Sequence, residues 1–240
     1  MLELLTWENL AALLTLTLIE VALGIDNIVF LSVVTGKLPE HQRPKARQLG
    51  LMGALVMRIL LLLSVTFVMK LDQPLFKIAE HGFSGKHLIL LVGGLFLIWK
   101  GTKEIHHKLE APEEGVPVAS TSFSAAITQI VFVDLIFSLD SVITAVGMSQ
   151  VIPVMIAAVV ISMLVMLRYA GTISNLIEKH PSLKVLALAF VILIGVFLVA
   201  EGMGQHIEKG YIYFAMAFSL VVEIVNLRVT RKPKPKPKGA

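Results

Sequence analysis

Cysteine is absent from all 240 residues, which excludes disulfides, thiolate metal sites and cysteine nucleophiles and leaves the redox compartment unmarked. Charge is scarce as well. Asp, Glu, Lys and Arg make up 16% of the chain against 56% hydrophobic residues, too few for an ordinary water-soluble domain. The start lacks the basic n-region of a signal peptide and carries Glu3 and Glu8 instead, so the first apolar segment is expected to stay as a helix. There is no His-Glu-x-x-His element and no nucleophile motif, which argues against an intramembrane hydrolase and against an enzyme in general. All seven histidines fall in predicted loops or near the ends of apolar runs, so a histidine-rich zinc or copper site at membrane depth has no ligands.

Long apolar runs are what the chain has in plenty. A transmembrane helix needs about 20 such residues, with about 17 to 25 tolerated. Leu10–Val34, Leu49–Met69, Phe123–Met148, Val151–Leu167, Leu183–Ala200 and Tyr211–Leu227 fit. Leu88–Trp99 is short, but Lys100 and Lys103 can snorkel and extend it, so it too reads as a span. Trp7, Trp99, Tyr169, Tyr211 and Tyr213 fall near predicted span ends, at headgroup level. Membrane lipid is therefore the first partner.

The net charge is +4, yet residues 228–240 alone hold six cations and no acid, so the remainder carries −2 and the basic balance gives no reason to expect nucleic acid. With the N-terminus outside, Lys37, Arg43, Lys45, Arg47, Lys100, Lys103, Lys108, Lys179, Lys184 and the tail cations lie inside. Only Lys70, Lys77, Lys86 and Lys209 then lie outside, and the positive-inside rule favours this orientation, with the C-terminus in the cytoplasm.

Two segments repeat one acidic pattern: Glu20-Val-Ala-Leu-Gly-Ile-Asp26-Asn27 and Asp134-Leu-Ile-Phe-Ser-Leu-Asp140-Ser141. Arg58 in Leu-Val-Met-Arg is echoed by Arg168 in Leu-Val-Met-Leu-Arg, and Gly94-Leu-Phe-Leu by Gly195-Val-Phe-Leu. The fold class is therefore an all-α polytopic membrane protein of seven transmembrane helices. Residues 1–107 form one three-helix repeat, 108–122 a cytoplasmic linker, 123–206 a second, inverted repeat, 207–228 the seventh helix and 229–240 a Lys-Pro tail. Inverted repeats place substrate sites at their interface near the midplane.

Each intramembrane Asp costs roughly 2.5–3.5 kcal/mol on insertion scales, so four acids in duplicate settings call for a partner. Carboxylate and amide oxygens suit hard ions such as Mg²⁺, Mn²⁺ or Ca²⁺. On an unbroken helix Glu20 and Asp26 would point about 120° apart, so a local break at Gly24 is expected to aim both at one ion, with Ser138 in the equivalent place. The structural alternative pairs the acids with Arg58 and Arg168. Two arginines cannot neutralise four carboxylates and Glu223 besides, so that alternative also needs shared protons. Arg58 and Arg168 are candidate gating or charge partners. Glu223 and Asn226, about one turn apart on the last span, either complete an ion shell or anchor that helix. Gly93 and Gly94 are expected to allow close helix packing.

At these motifs the sequence resembles the TerC family of bacterial inner-membrane proteins, in its short type, and the likeness continues through Gly-Tyr-Ile-Tyr-Phe-Ala-Met-Ala-Phe-Ser (210–219) to Glu223 and Asn226. The resemblance implies a seven-helix relative of the LysE-like exporters, located in the inner membrane and active in manganese efflux. Carried over by motif, the metal positions are Glu20, Asp26, Asn27, Asp134, Asp140 and Ser141. No tightly bound cofactor is expected, since Mn²⁺ or a similar divalent cation is the substrate, with exchange for protons at the same oxygens as the expected coupling. A homo-oligomer and a secretion-machinery partner stay open. The competing reading is a non-transporting scaffold of secretion or stress-resistance complexes, which predicts tolerant acidic motifs and sensitive loops.

Overall fold

The computed structural model describes residues 6–71, 73–78, 81–110, 122–149 and 151–230. Most of the linker, with Glu113 and Glu114, and the Lys-Pro run of the tail lie outside the described residues. The elements in order are α1 (Trp7–Thr35), a 3-10 turn (Glu40–Gln42), α2 (Arg43–Leu63), α3 (Val65–Leu71), β1 (Pro74–Ile78) and β2 (His81–Ser84). Then come α4 (Gly85–Glu110), α5 (Phe123–Met148), α6 (Ile152–Lys179), α7 (Pro181–Gly202) and α8 (Lys209–Thr230).

Local chemistry sets the helix starts. Thr6 and Ser122 accept backbone N–H bonds from Asn9 and Ala125, each at 3.2 Å, and so cap α1 and α5. Pro44, Pro153 and Pro181 sit in the first turns of α2, α6 and α7, where a missing N–H costs nothing. Among the described residues, six helical stretches are long and apolar enough to cross a membrane: α1, α2 with its preceding turn, and α5 to α8. The polytopic helical class holds. The expected third span, α4, has 26 residues and a rise of about 39 Å, but it carries Lys86, His87 and Lys100 and is not one of these six.

Three boundaries differ from expectation. The run Leu49–Met69 is not one helix, because α2 stops at Leu63 and Ser64 leads into the short α3. Ser and β-branched residues at 64–66 favour a break there. After it, the chain makes an antiparallel hairpin that pairs Phe76 with Phe83 and Ile78 with His81, a feature that apolar-run counting does not see. Finally, α4 and α6 run ten or more residues past the apolar runs that end at Trp99 and Leu167, so both helices are longer than those runs.

The chain divides into two compact units, Met1–His206 and Ile207–Ala240. The second contains α8. Within the first, α1 is enclosed by α6, α5, α7 and α2, while α2 packs on α5 and α4 on α7. The α4–α7 seam is antiparallel and unusually close. A Cβ on Gly94 would lie 2.6 Å from the Gly195 carbonyl oxygen, and one on Gly195 would lie 2.9 Å from the Gly94 carbonyl oxygen. Gly101 abuts Ile192 and the Leu188 carbonyl, as Gly202 abuts Leu91 and the His87 carbonyl. The equivalent residues of these contacts, Gly94 and Gly195, Gly101 and Gly202, Leu91 and Ile192, and His87 and Leu188, each stand 101 positions apart. The close packing expected of Gly93 and Gly94 is present: Gly93 rests on Ile136 of α5.

One end of the first unit is closed by ion pairs. Arg43 bonds Glu178 at 2.6 Å, with Arg47 3.8 Å from the same carboxylate, and Lys37 bonds Glu104.

Candidate ion site

α1 and α5 carry the two acidic elements, and both helices run through them without interruption. The break expected at Gly24 does not occur. A Cβ there would stand 2.3 Å from Sδ of Met166, so the missing side chain lets α1 approach α6. Ser138, at the equivalent place, donates its hydroxyl back to the Asp134 carbonyl at 2.6 Å, a bond within continuous helix. Because the helices continue, acids six residues apart diverge by about 120°. The two members of each pair accordingly enter different surroundings.

The first members meet. Arg58, 2% exposed, reaches from α2 to both α1 and α5. It donates from Nη1 to Glu20 Oε2, from Nη2 to Asp134 Oδ1 at 2.8 Å and from Nε to Asp134 Oδ2 at 3.1 Å. Asp134 also accepts from Asn27 Nδ2 at 2.8 Å and from Ser138 Oγ at 3.1 Å. Glu20 and Asp134 are 4% and 3% exposed, so two acids share one guanidinium away from water, one acid more than the buried cation can match.

Apolar side chains close this cluster on both sides. Towards one end lie Leu16, Leu62, Leu139 and Val142, part of a single buried cluster, with Leu16 one turn from Glu20 and Leu62 one turn from Arg58. Towards the other, Phe30, Leu51, Ile130 and Val133 join Asn27 and Asp134 around a cavity of about 10 Å³. That is room for roughly one water. Asn27 Oδ1, the amide oxygen beside it, is buried without a hydrogen-bond partner.

The second members lie apart. Asp140 is half-buried and pairs with Lys86 of α4 at 3.0 Å. Lys86 in turn lines a polar cavity of about 170 Å³ with His87, Glu201, Gln205 and His206. Asp26 is buried on α1, and Ser141 donates to the Ser138 carbonyl at 3.3 Å. Arg168 does not mirror Arg58: it is exposed on α6, with its guanidinium 6.0 Å from the ring of Tyr169. Glu223 and Asn226 lie on α8, in the other unit. Among the described residues no three His, Asp or Glu side chains gather closely enough to hold a metal ion. Where the two acidic elements converge, Arg58 occupies the meeting point.

Lys86 was not singled out by the sequence, and nothing in it could have done so, because a lone cation between two elements does not announce a partner 54 positions away.

A family model described as the integral membrane protein TerC family matches residues 5–236. The UPF0053 inner membrane protein YgdQ of Escherichia coli (strain K12) is 55% identical over 221 residues, 92% of this chain and 93% of that protein. A UPF0053 protein of Haemophilus influenzae is 49% identical over 229 residues, covering 95% of this chain and 97% of its own length. The inner membrane protein YoaE of E. coli is 49% identical over 218 residues, 90% of this chain but 42% of the longer relative. No solved structure matches the chain.

Proposed function

Since the chain belongs to the TerC family of integral membrane proteins, we propose that it is a bacterial inner-membrane exporter of hard divalent cations, Mn²⁺ foremost, working by alternating access. One observation carries this reading: acids from the two repeated elements, Glu20 and Asp134, are brought to one buried point with one more acid than cation. Ionisable groups held at such depth are functional by default, and a charge excess there asks for a cation or a proton. Oxygen donors without sulfur or nitrogen select hard ions. Tight cofactors have no part in this reading, nor does an enzymatic step.

The seam between α4 and α7 supports two inverted three-helix halves. Residues 101 positions apart make matched contacts across it, as a two-fold axis between Gly94 and Gly195 would require, and the helices are antiparallel. The pairings α1 with α6 and α2 with α5 interchange under the same operation. If the N-terminus faces outward, the Arg43–Glu178 and Lys37–Glu104 pairs close the cytoplasmic mouth and the Lys86 cavity opens outward beside Asp140. With the cluster sealed on both sides, this arrangement is a closed one between loading and release.

Reconstituted protein in vesicles with an imposed pH gradient, offered Mn²⁺, Mg²⁺, Ca²⁺ and Zn²⁺ in turn, is expected to carry Mn²⁺ fastest. Absence of flux for every ion would overturn the exporter and leave the scaffold reading.

A further inference from the structure

Asp134 has no acceptor capacity to spare. A carboxylate offers about four lone-pair directions, and here Oδ1 takes Arg58 Nη2 and Asn27 Nδ2 while Oδ2 takes Arg58 Nε and Ser138 Oγ. The adjoining cavity of about 10 Å³ is too small for a hydrated divalent ion. A metal ion can reach Asp134 only by displacing the guanidinium fork.

Asn27 is set for that displacement. Its amide N–H now donates to Asp134, while its oxygen, the atom able to ligate a cation, is buried at 6% exposure beside the cavity and has no hydrogen-bond partner. A buried acceptor left in this way is unfavourable. A cation between Glu20 and Asp134 would reverse its role, because a turn of the amide presents the oxygen to the ion.

Building on the exporter reading, we propose that Arg58 is the carrier's own stand-in for its substrate: it fills the site when the metal has left, and the metal and the guanidinium compete for Asp134. The charge balance gives it a purpose. Without Arg58 the empty site would hold two buried carboxylates, and the return of the unloaded carrier would bear both charges. With Arg58 seated only one is left. The arginine therefore weakens metal binding and permits the empty return. Arg168 is not so placed, being exposed on α6.

The test uses purified full-length protein with Mn²⁺ as probe, comparing wild type with Arg58→Gln and Arg58→Lys. Free Mn²⁺ is followed by electron paramagnetic resonance, and vesicles report net flux separately from exchange of labelled Mn²⁺ for unlabelled. Removing a competitor that fills the site in about nine molecules of ten should tighten Mn²⁺ binding about tenfold in Arg58→Gln. Exchange should stay within about threefold of wild type, while net flux falls about tenfold or more because the empty carrier cannot return. Arg58→Lys, which keeps the charge but loses the fork, should bind Mn²⁺ several-fold tighter and decides the matter if Arg58→Gln is not monodisperse. Binding no tighter than wild type in a monodisperse variant, or equal loss of exchange and net flux, overturns the proposal. A wild type that neither binds nor carries Mn²⁺ would instead overturn the exporter reading itself.

Discussion

Glu20 and Asp134 share one guanidinium but do not depend on it equally. Asp134 holds two arms of the fork and Glu20 one. Changing Asp134 to Asn leaves Arg58 paired with Glu20 alone, weakens two arms of the fork, and should cost about 1–3 kcal/mol, the range for buried polar groups left unsatisfied. Changing Glu20 to Gln leaves a neutral Arg58–Asp134 pair and removes the excess charge, so the loss should be about 1 kcal/mol. Melting midpoints in detergent check this order; equal shifts for the two variants would refute the unequal sharing. Both variants should lose Mn²⁺ flux, since each removes a carboxylate from the meeting point. The acidic pattern was plain in the sequence, but its division of labour was not. Spacing gave the 120° divergence between Glu20 and Asp26, whereas Arg58 lies 38 positions from Glu20 and 76 from Asp134, and Asn27 lies 107 from Asp134.

Among the elements, the α4–α7 seam is the most demanding of side-chain size. A methyl on Gly94 would meet backbone atoms of Gly195 and Val199, which cannot step aside. Gly94→Ala should therefore separate the helices and cost about 1–3 kcal/mol, as overpacking usually does. A methyl on Gly24 meets only the sulfur end of Met166, a flexible group. Gly24→Ala should cost less than about 1 kcal/mol, because repacking of Met166 and the better helix propensity of Ala offset the crowding. A thermal-unfolding comparison in which Gly24→Ala is the more damaging change would contradict the seam. The same glycines were legible in the sequence as a recurring Gly-x-Phe-Leu pattern. Their facing one another was not, because correspondence between repeats does not say whether equivalent helices touch.

For the molecule as a whole, the absence of native cysteine allows orientation to be read from single introduced thiols. Glu40→Cys and His180→Cys should react from the cytoplasmic side, and Gln73→Cys and Gln205→Cys from outside; labelling of all four from one side would sink the outward N-terminus and the inverted halves together. The sequence by itself determined that this chain lives in a membrane and that its long apolar runs become helices, because in lipid each run must satisfy its own backbone hydrogen bonds. It also determined which acids are costly enough to matter. Only the tertiary structure decided that Arg58 and not Arg168 is buried among them, that Asp140 answers to Lys86, and that α1 and α5 stay unbroken. Burial and hydrogen bonding within one helix are local and leave a trace in composition. Which charge neutralises which depends on how helices distant in sequence are turned toward one another, and that is fixed only when they pack.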